Sequence, residues 1–138
     1  MSQRTPLIAG NWKMFKTATE AKKFFTELKD AVTDVTKTEI MAAPPFTALA
    51  ATQETVGYSN IKIGAQNMFW EAEGAFTGEI SAPMLKDLGC EYVIIGHSER
   101  RQYFGETDET VNKKIAAALK HNLTPILGPV PYTTLKLP

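Results

Sequence analysis

Short apolar runs rich in β-branched residues recur along the chain, and each is followed by turn or helix signals. These runs are continuously apolar rather than alternating with polar residues, which is typical of strands that are buried on both faces of a parallel sheet. The pattern therefore predicts five buried strands. They lie at Leu7–Ala9, Glu39–Ala43, Ile61–Ala65, Tyr92–Ile95 and Thr124–Leu127.

The segments between these runs have the spacing of amphipathic helices. Thr17 and Glu20 fit a capping box, and Thr107 is placed to cap a second helix that has acidic residues in its first turn. Shorter helices are expected over Phe46–Thr55 and Ser81–Leu88. The predicted buried stripes are Ala21, Phe24, Phe25 and Leu28 on the first long helix, and Val111, Ile115, Ala118 and Leu119 on the second.

Strands and helices alternate in this prediction, and strand centres recur at intervals of about 20 to 35 residues, as in consecutive βα units. The expected fold class is therefore α/β, with five strands and four helices and a parallel sheet covered by the helices. One connection departs from the short ones. Residues Gln66–Glu79 form a long strand-to-helix loop with three aromatic residues, and such loops are more often functional than idle.

Composition narrows the class of protein. The 138 residues are 43% hydrophobic and 22% charged, with 15 basic and 15 acidic side chains interspersed, which is the profile of a folded domain. The balanced charge gives no footprint for nucleic acid or for an anionic membrane surface, and no apolar run is long enough to span a bilayer. With one cysteine, Cys90, and no secretory core at the start, we expect a reducing compartment, the cytoplasm.

Candidate chemistry is sought where strands end, because backbone N–H groups and helix dipoles converge there in parallel folds. Asn11 and Lys13 follow the first strand, but on this segment alone a turn residue and a solvated lysine are the simpler interpretation. His97 directly follows the fourth strand, and Ser98 is a potential helix cap after it. His97 is either a neutral donor to a polarised carbonyl or a structurally satisfied histidine, and both interpretations stay open.

Other polar candidates are weaker. Glu99, Arg100 and Glu106 form either an ion-pair network behind the His97 loop or a set of solvated charges. His121 follows a helix on the opposite side of the layer, where a surface position is expected, and Cys90 fits a packing role better than a nucleophilic one. The sequence carries no motif for a nucleotide fold, a serine hydrolase or a zinc site, so none of these classes has motif support.

Four motifs in order resemble the triosephosphate isomerase family. They are Ile8-Ala-Gly-Asn-Trp-Lys-Met14, Ala65-Gln-Asn-Met68, Gly74-Ala-Phe-Thr-Gly-Glu79 and Tyr92-Val-Ile-Ile-Gly-His-Ser-Glu-Arg-Arg101. The resemblance runs from about residue 5 to residue 127. It implies a (β/α)8 TIM barrel that interconverts dihydroxyacetone phosphate and glyceraldehyde 3-phosphate through an enediol(ate), in glycolysis and gluconeogenesis, without metal or cofactor.

The resemblance also implies roles for individual residues. Asn11 and Lys13 contact the triose phosphate, with Lys13 supplying positive charge, and His97 is the electrophile that moves a proton between the two substrate oxygens. Glu99 accepts from the Lys13 ammonium, and Ser98 supports the same loop. A homodimer is implied as well: the loop at 66–79 enters a neighbouring subunit, with Thr77 reaching toward the partner's site and Met14 belonging to the pocket that receives it.

The resemblance stops after Leu127. The family barrel has eight βα units in about 250 residues, and it continues here with a cysteine and a Gly-Glu turn, whereas this chain reads Gly128 and a Pro-rich stretch. We therefore expect a partial barrel over residues 1–127 and a divergent, foreign tail over 128–138. The glutamate base, the lid and the phosphate loops of the family would be missing, and the isolated chain is expected to be inactive. The alternative is a non-enzymatic half-barrel that binds a full-length subunit or a complementary half.

Overall fold

Five parallel strands pair in sequence order, and each is connected to the next through helix. The computed structural model describes residues 4–128. The strands are β1 (Leu7–Asn11), β2 (Glu39–Ala43), β3 (Ile61–Ala65), β4 (Tyr92–Ile95) and β5 (Thr124–Leu127), in the order β1-β2-β3-β4-β5. The helices are α1 (Ala18–Ala31), α2 (Phe46–Val56), α3 (Ala82–Asp87), α4 (Ser98–Tyr103) and α5 (Asp108–Lys120). The predicted α/β class is confirmed, and five parallel strands paired in sequence order are the arrangement that a partial TIM barrel requires.

The two long helices α1 and α5 begin after the capping residues that the sequence predicts, Thr17 and Thr107. Thr17 and Glu20 form the capping box of α1, and the Thr107 side chain accepts from the backbone N–H of Thr110 at the start of α5. Ser81 caps α3 in the same way. The short helix α4 is a fifth helix beyond the four that were expected, and the sequence indicated only a potential cap for it, Ser98.

Burial separates the central strands from the edges. The side chains of β4 are buried throughout, whereas Ile8 of β1 is 65% exposed and Leu127 of β5 is 57% exposed. The prediction of five buried strands is therefore wrong for β1 and β5, which within residues 4–128 have a neighbouring strand on one side only. The helical stripes are also narrower than predicted, since Phe24 and Leu119 are exposed. The proposed divergent tail begins at Gly128, and its residues 129–138 lie outside the described residues.

The main core lies between the sheet and the helices, and a smaller apolar cluster lies on the other face of the sheet. Phe25, Leu49 and Leu85 are among the fully buried side chains of the main core. Met41 and Tyr92 belong to the smaller cluster. Cys90 is buried too, and burial raises the pKa of its thiol to about 12, so the expected packing role fits its surroundings.

A polar cluster closes the smaller core at the amino ends of the strands. The Tyr92 hydroxyl donates to Glu39, and Lys62 contacts Glu39 at 3.3 Å and Glu91 at 2.8 Å. The hydrogen bond from Tyr92 lowers the pKa of Glu39, while burial and the Glu39 contact raise the pKa of Tyr92 to about 12. The contact thus favours an ionised carboxylate and a neutral phenol at the same time.

A second buried polar cluster ties α5 to the segment after α4. Lys114 is 5% exposed and contacts Glu106 at 2.5 Å and Asn67 Oδ1 at 2.8 Å. Glu106 also accepts from Arg100 Nε at 3.0 Å. The open question about charges behind His97 is thereby resolved in part: Arg100 and Glu106 do pair, and their network includes Lys114, whereas Glu99 has a different partner.

We expect the substitution Tyr92→Phe to weaken the pH dependence of the free energy of unfolding, both at alkaline and at acidic pH. The wild-type chain should lose stability as the pH rises from about 10, the ordinary value for tyrosine, toward about 12, because the unfolded phenol ionises first. It should also lose stability as the pH falls below about 4.3, where an unperturbed glutamate becomes protonated. Urea unfolding over a range of pH measures the loss of stability at high pH and at low pH. Tyr58→Phe, at a fully exposed position, is the matched control. If Tyr92→Phe loses stability at high and low pH as the wild type does, the Tyr92–Glu39 contact does not cause this pH dependence.

Glu106→Gln should lower the free energy of unfolding by about 3 kcal/mol or more, because it leaves a buried ammonium without its carboxylate. Glu109→Gln is the matched control, since its carboxylate is 82% exposed and lies 3.9 Å from Lys113 on the surface of α5. That change should cost less than about 0.5 kcal/mol. Denaturant unfolding of both variants measures the difference, and similar losses in the two would show that the buried cluster is not stabilising.

Candidate active site

The candidate residues come together because the carboxyl ends of parallel strands share one edge of the sheet. Asn11 is the last residue of β1, and His97 follows β4 after a single glycine, Gly96, whose φ is +71°. Strand β1 extends two residues further than predicted, because Gly10 and Asn11 continue the ladder opposite β2. Asn11 is therefore fixed by the sheet rather than carried on a loop.

Asn11 also shapes the backbone of Lys13. Its Oδ1 accepts from the backbone N–H of Lys13 at 2.9 Å, and Lys13 has a φ of +54°. A left-handed conformation is uncommon for a lysine and persists where surrounding contacts impose it. Since Oδ1 is engaged in this way, the amide nitrogen is the group that Asn11 offers to a ligand.

Gln66 imposes the same conformation from the other side. Its Nε2 donates to the carbonyl oxygen of Lys13 at 2.9 Å and to that of Ala43 at 2.8 Å. One side chain from the end of β3 thus holds the ends of β1 and β2. Sequence analysis gave Gln66 no role, although its place directly after a buried strand in the Ala65-Gln-Asn-Met68 motif is the signal that could have found it.

Lys13 is paired with Glu99 across the cleft. The ammonium lies 2.6 Å from Glu99 Oε1, and the two side chains are 49% and 41% exposed. The hydrogen bond from Lys13 lowers the pKa of Glu99, so this carboxylate stays ionised and is a weak base. An exposed pair of this kind adds little stability. Its main effect is to orient the lysine.

His97 caps α4 with its own ring. Its Nδ1 accepts from the backbone N–H of Glu99 at 3.1 Å, so this contact uses the Nδ1 lone pair and leaves Nε2 as the ring's donor. Glu99 Oε2 lies 3.7 Å from Nδ1, but an unprotonated Nδ1 makes no ion pair with it. The expectation that Ser98 caps this helix is wrong, because His97 does so and Ser98 is the first helical residue.

These groups line a cleft of about 300 Å³. Lys13 and Arg100 are its cationic side chains, and Glu99 is its one acidic side chain within residues 4–128. A larger cavity of about 630 Å³ lies beside α1 and is lined by Trp12, Phe15 and Phe24 among others. That cavity lies at the open edge of β1 and shares only Asn11 with the cleft, so we assign the chemistry to the smaller one.

The remaining predicted residues lie in different places. Met14 is 93% exposed and borders the cleft. Thr77 is exposed on the long loop and is not part of the cleft in its own chain. His121 follows the last residue of α5 as its cap and is half-buried rather than at the expected surface position, with Nδ1 3.0 Å from the carbonyl oxygen of Ala117. Within residues 4–128 no cluster of three or more His, Cys, Asp or Glu side chains is arranged to hold a metal ion. In the same part of the chain no helix is both long and apolar enough to cross a membrane.

Comparison with known proteins gives a consistent result. The sequence model described as triosephosphate isomerase matches residues 6–128. Triosephosphate isomerases of Moorella thermoacetica and Endomicrobium trichonymphae are 59% and 60% identical over 124 residues, which is 90% of this chain and 49% and 50% of theirs. The crystal structure of triosephosphate isomerase from Bartonella henselae matches with a TM-score of 0.84 and 37% identity, over 90% of this chain and 51% of that one.

The chain spans about half the length of these relatives. The matched stretch contains all five strands and the strand ends that carry Asn11, Lys13 and His97. The sequence match and the structural match therefore cover the same residues as the cleft. On this ground the chain belongs to the triosephosphate isomerase family.

Proposed function

We propose that this chain supplies the cationic and electrophilic half of an active site that interconverts dihydroxyacetone phosphate and glyceraldehyde 3-phosphate. The observation that carries the proposal is the arrangement of Lys13 and His97 around Glu99. Glu99 holds the Lys13 ammonium with its carboxylate and fixes the His97 imidazole with its backbone N–H. A neutral histidine at a helix N-terminus is an established feature of triosephosphate isomerase itself.

The proposed chemistry follows from these two groups. A base removes the carbon-bound proton next to the substrate carbonyl, and negative charge develops on the carbonyl oxygen. The Nε2–H of His97 donates to that oxygen, and the Lys13 ammonium stabilises the same charge and the phosphate. Asn11 adds a neutral donor through its amide. His97 then moves a proton between the two oxygens while the carbon-bound proton returns to the neighbouring carbon.

The base has to come from outside the described cleft. Glu99 is the one acidic side chain lining it within residues 4–128, and Lys13 keeps that carboxylate ionised and engaged. The resemblance assigns the base, the lid and the phosphate loops to the half of the family barrel that this chain does not match. The 138-residue chain by itself should therefore turn over substrate at a negligible rate.

A second candidate function is binding without catalysis, to a complementary half or to a full-length subunit. The aromatic cavity beside α1 favours it, since Trp12 stacks on Phe25 with centroids 4.8 Å apart while Phe15 and Phe24 stay exposed at the open edge of β1. An unpaired strand edge beside exposed aromatic residues is a surface on which further βα units could pack.

We also infer a homodimer formed through the long loop. Its aromatic residues pack against one another, with the ring centroids of Phe69 and Trp70 4.1 Å apart and those of Phe69 and Phe76 4.6 Å apart, so the loop has a preformed shape. Met14 beside the cleft is almost fully exposed and would receive the partner's loop, with Thr77 of that loop directed at the neighbouring Asn11 and His97. The cytoplasm is the proposed compartment, in keeping with a single buried cysteine.

Mixing this chain with the separately produced remainder of the Moorella thermoacetica relative should restore isomerase activity. In that mixture His97→Gln should lower kcat about 10²–10⁴-fold, as expected for loss of a general acid. Lys13→Met should lower it about 10²–10³-fold, as for loss of charge stabilisation. Lys120→Met on α5 is the matched control and should leave the rate unchanged. The coupled consumption of glyceraldehyde 3-phosphate measures all of them.

The outcomes of this experiment separate the two candidate functions. Turnover by the 138-residue chain alone, in a preparation free of full-length enzyme, would refute the assignment of the base to the missing half. A tight complex that shows no activity would favour the binding function. Activity that does not depend on His97 would refute the proposed electrophile.

Met14→Lys should weaken self-association at least about tenfold, because it places a charge in the apolar pocket proposed for the partner's loop. Tyr58→Lys is the matched control, since this exposed aromatic residue lies in the turn before β3, at the opposite end of the sheet. Light scattering over a concentration series measures both. A monomeric wild-type chain, or a dimer that is unaffected by Met14→Lys, would contradict the proposed interface.

A further inference from the structure

Side chains from the ends of β1 and β3 bind both polar groups of the Lys13 backbone. The N–H of Lys13 donates to Asn11 Oδ1 at 2.9 Å, and its carbonyl oxygen accepts from Gln66 Nε2 at 2.9 Å. The same side-chain nitrogen donates to the carbonyl oxygen of Ala43 at 2.8 Å, which also accepts from the backbone N–H of Trp12 at 3.1 Å. Ala43 ends β2 and is fully buried, so Gln66 connects the Lys13 backbone to a rigid point of the sheet.

The backbone of Lys13 needs these bonds because its conformation is unfavourable. A left-handed φ of +54° costs an L-residue about as much free energy as one or two hydrogen bonds contribute. Packing offsets little of this cost, since the Lys13 side chain is 49% exposed. Without the bond from Gln66, the backbone can relax to an ordinary conformation. The Cα–Cβ bond of Lys13 would then point in a different direction.

We propose that Gln66 is a positioning residue for Lys13: its hydrogen bonds hold the left-handed backbone that directs the Lys13 ammonium across the cleft to Glu99, 2.6 Å away. The proposal rests on the role of Lys13 in the proposed function. Gln66 borders the cleft, but a side-chain amide has two N–H donors, and both are used on backbone carbonyl oxygens. Gln66 is therefore placed to act through the lysine rather than to donate to a substrate.

The pKa of Glu99 reports where the Lys13 ammonium lies. The hydrogen bond from Lys13 is the largest cause that lowers this pKa below the ordinary glutamate value. Gln66→Met keeps the length of the side chain and removes its donors. In this variant the ammonium should leave Glu99, and the pKa of Glu99 should rise most of the way to its value in Lys13→Met. ¹³C NMR of the side-chain carboxyl carbons, recorded over an acid titration of the full chain, measures the shift.

Two controls separate positioning from a general structural effect. Gln102→Met makes the same change at an exposed position of α4, and should leave the pKa of Glu99 as it is in the wild type. Adding Gln66→Met to Lys13→Met should cause no further rise, because the effect of Gln66 passes through the lysine. A merely structural role would change the pKa of Glu99 whether or not Lys13 is present.

Two results would overturn the proposal: a Glu99 pKa in Gln66→Met equal to that of the wild type, or a further rise in the double variant. If Gln66→Met does not fold, the wild-type chain decides. Both side-chain amide protons of Gln66 should exchange with water more slowly than those of the exposed Gln102, and equal rates would refute the proposal. These measurements need neither substrate nor turnover. The expected pKa shifts together with a complemented enzyme that shows no isomerase activity would instead refute the proposed function.

Discussion

Parallel pairing in register is the constraint on which the rest of the structure depends. Asn11 lies opposite Ala43, and Ile95 lies opposite Leu127, so the strands end together at one edge of the sheet. Without this register Asn11 and His97, which are 86 positions apart in the sequence, would not border one cleft. The chemistry is thus assembled by backbone hydrogen bonds, and the side chains around the cleft refine what the sheet has already placed.

Much of the fold could be predicted because its signals are local. The bounds of β2, β3, β4 and β5 agree with the apolar runs, since continuous burial leaves a continuous pattern in the sequence. The prediction of the buried residues of α5 is less accurate. Lys114 takes a buried position on that helix and Leu119 does not, because a lysine is buried when distant carboxylate and amide oxygens surround it. No local pattern reports such partners.

The residues of the site also differ in whether local sequence signals reveal them. Strand-end reasoning places Asn11, Lys13 and His97 at the same edge of the sheet, because their positions follow from topology, but their roles come only from the family resemblance. It does not find Gln66, whose importance lies in two carbonyl oxygens on other strands. Nor does it find that His97 caps α4, because the usual capping residues are Ser, Thr, Asp and Asn, and the adjacent Ser98 is the better match by type. Three-dimensional contacts decide these roles.

Glu99 has a consequence for how this site can change over evolution. Its carboxylate holds Lys13, and its backbone N–H holds the ring of His97. A replacement at position 99 keeps the second contact, since every residue except proline has an N–H, and alters only the first. Substitutions at position 99 can therefore change how the Lys13 ammonium is held, while the tautomer of His97 stays the same. A change in the backbone of the first turn of α4 disturbs both Lys13 and His97. That backbone is therefore less tolerant of change than the side chain at position 99.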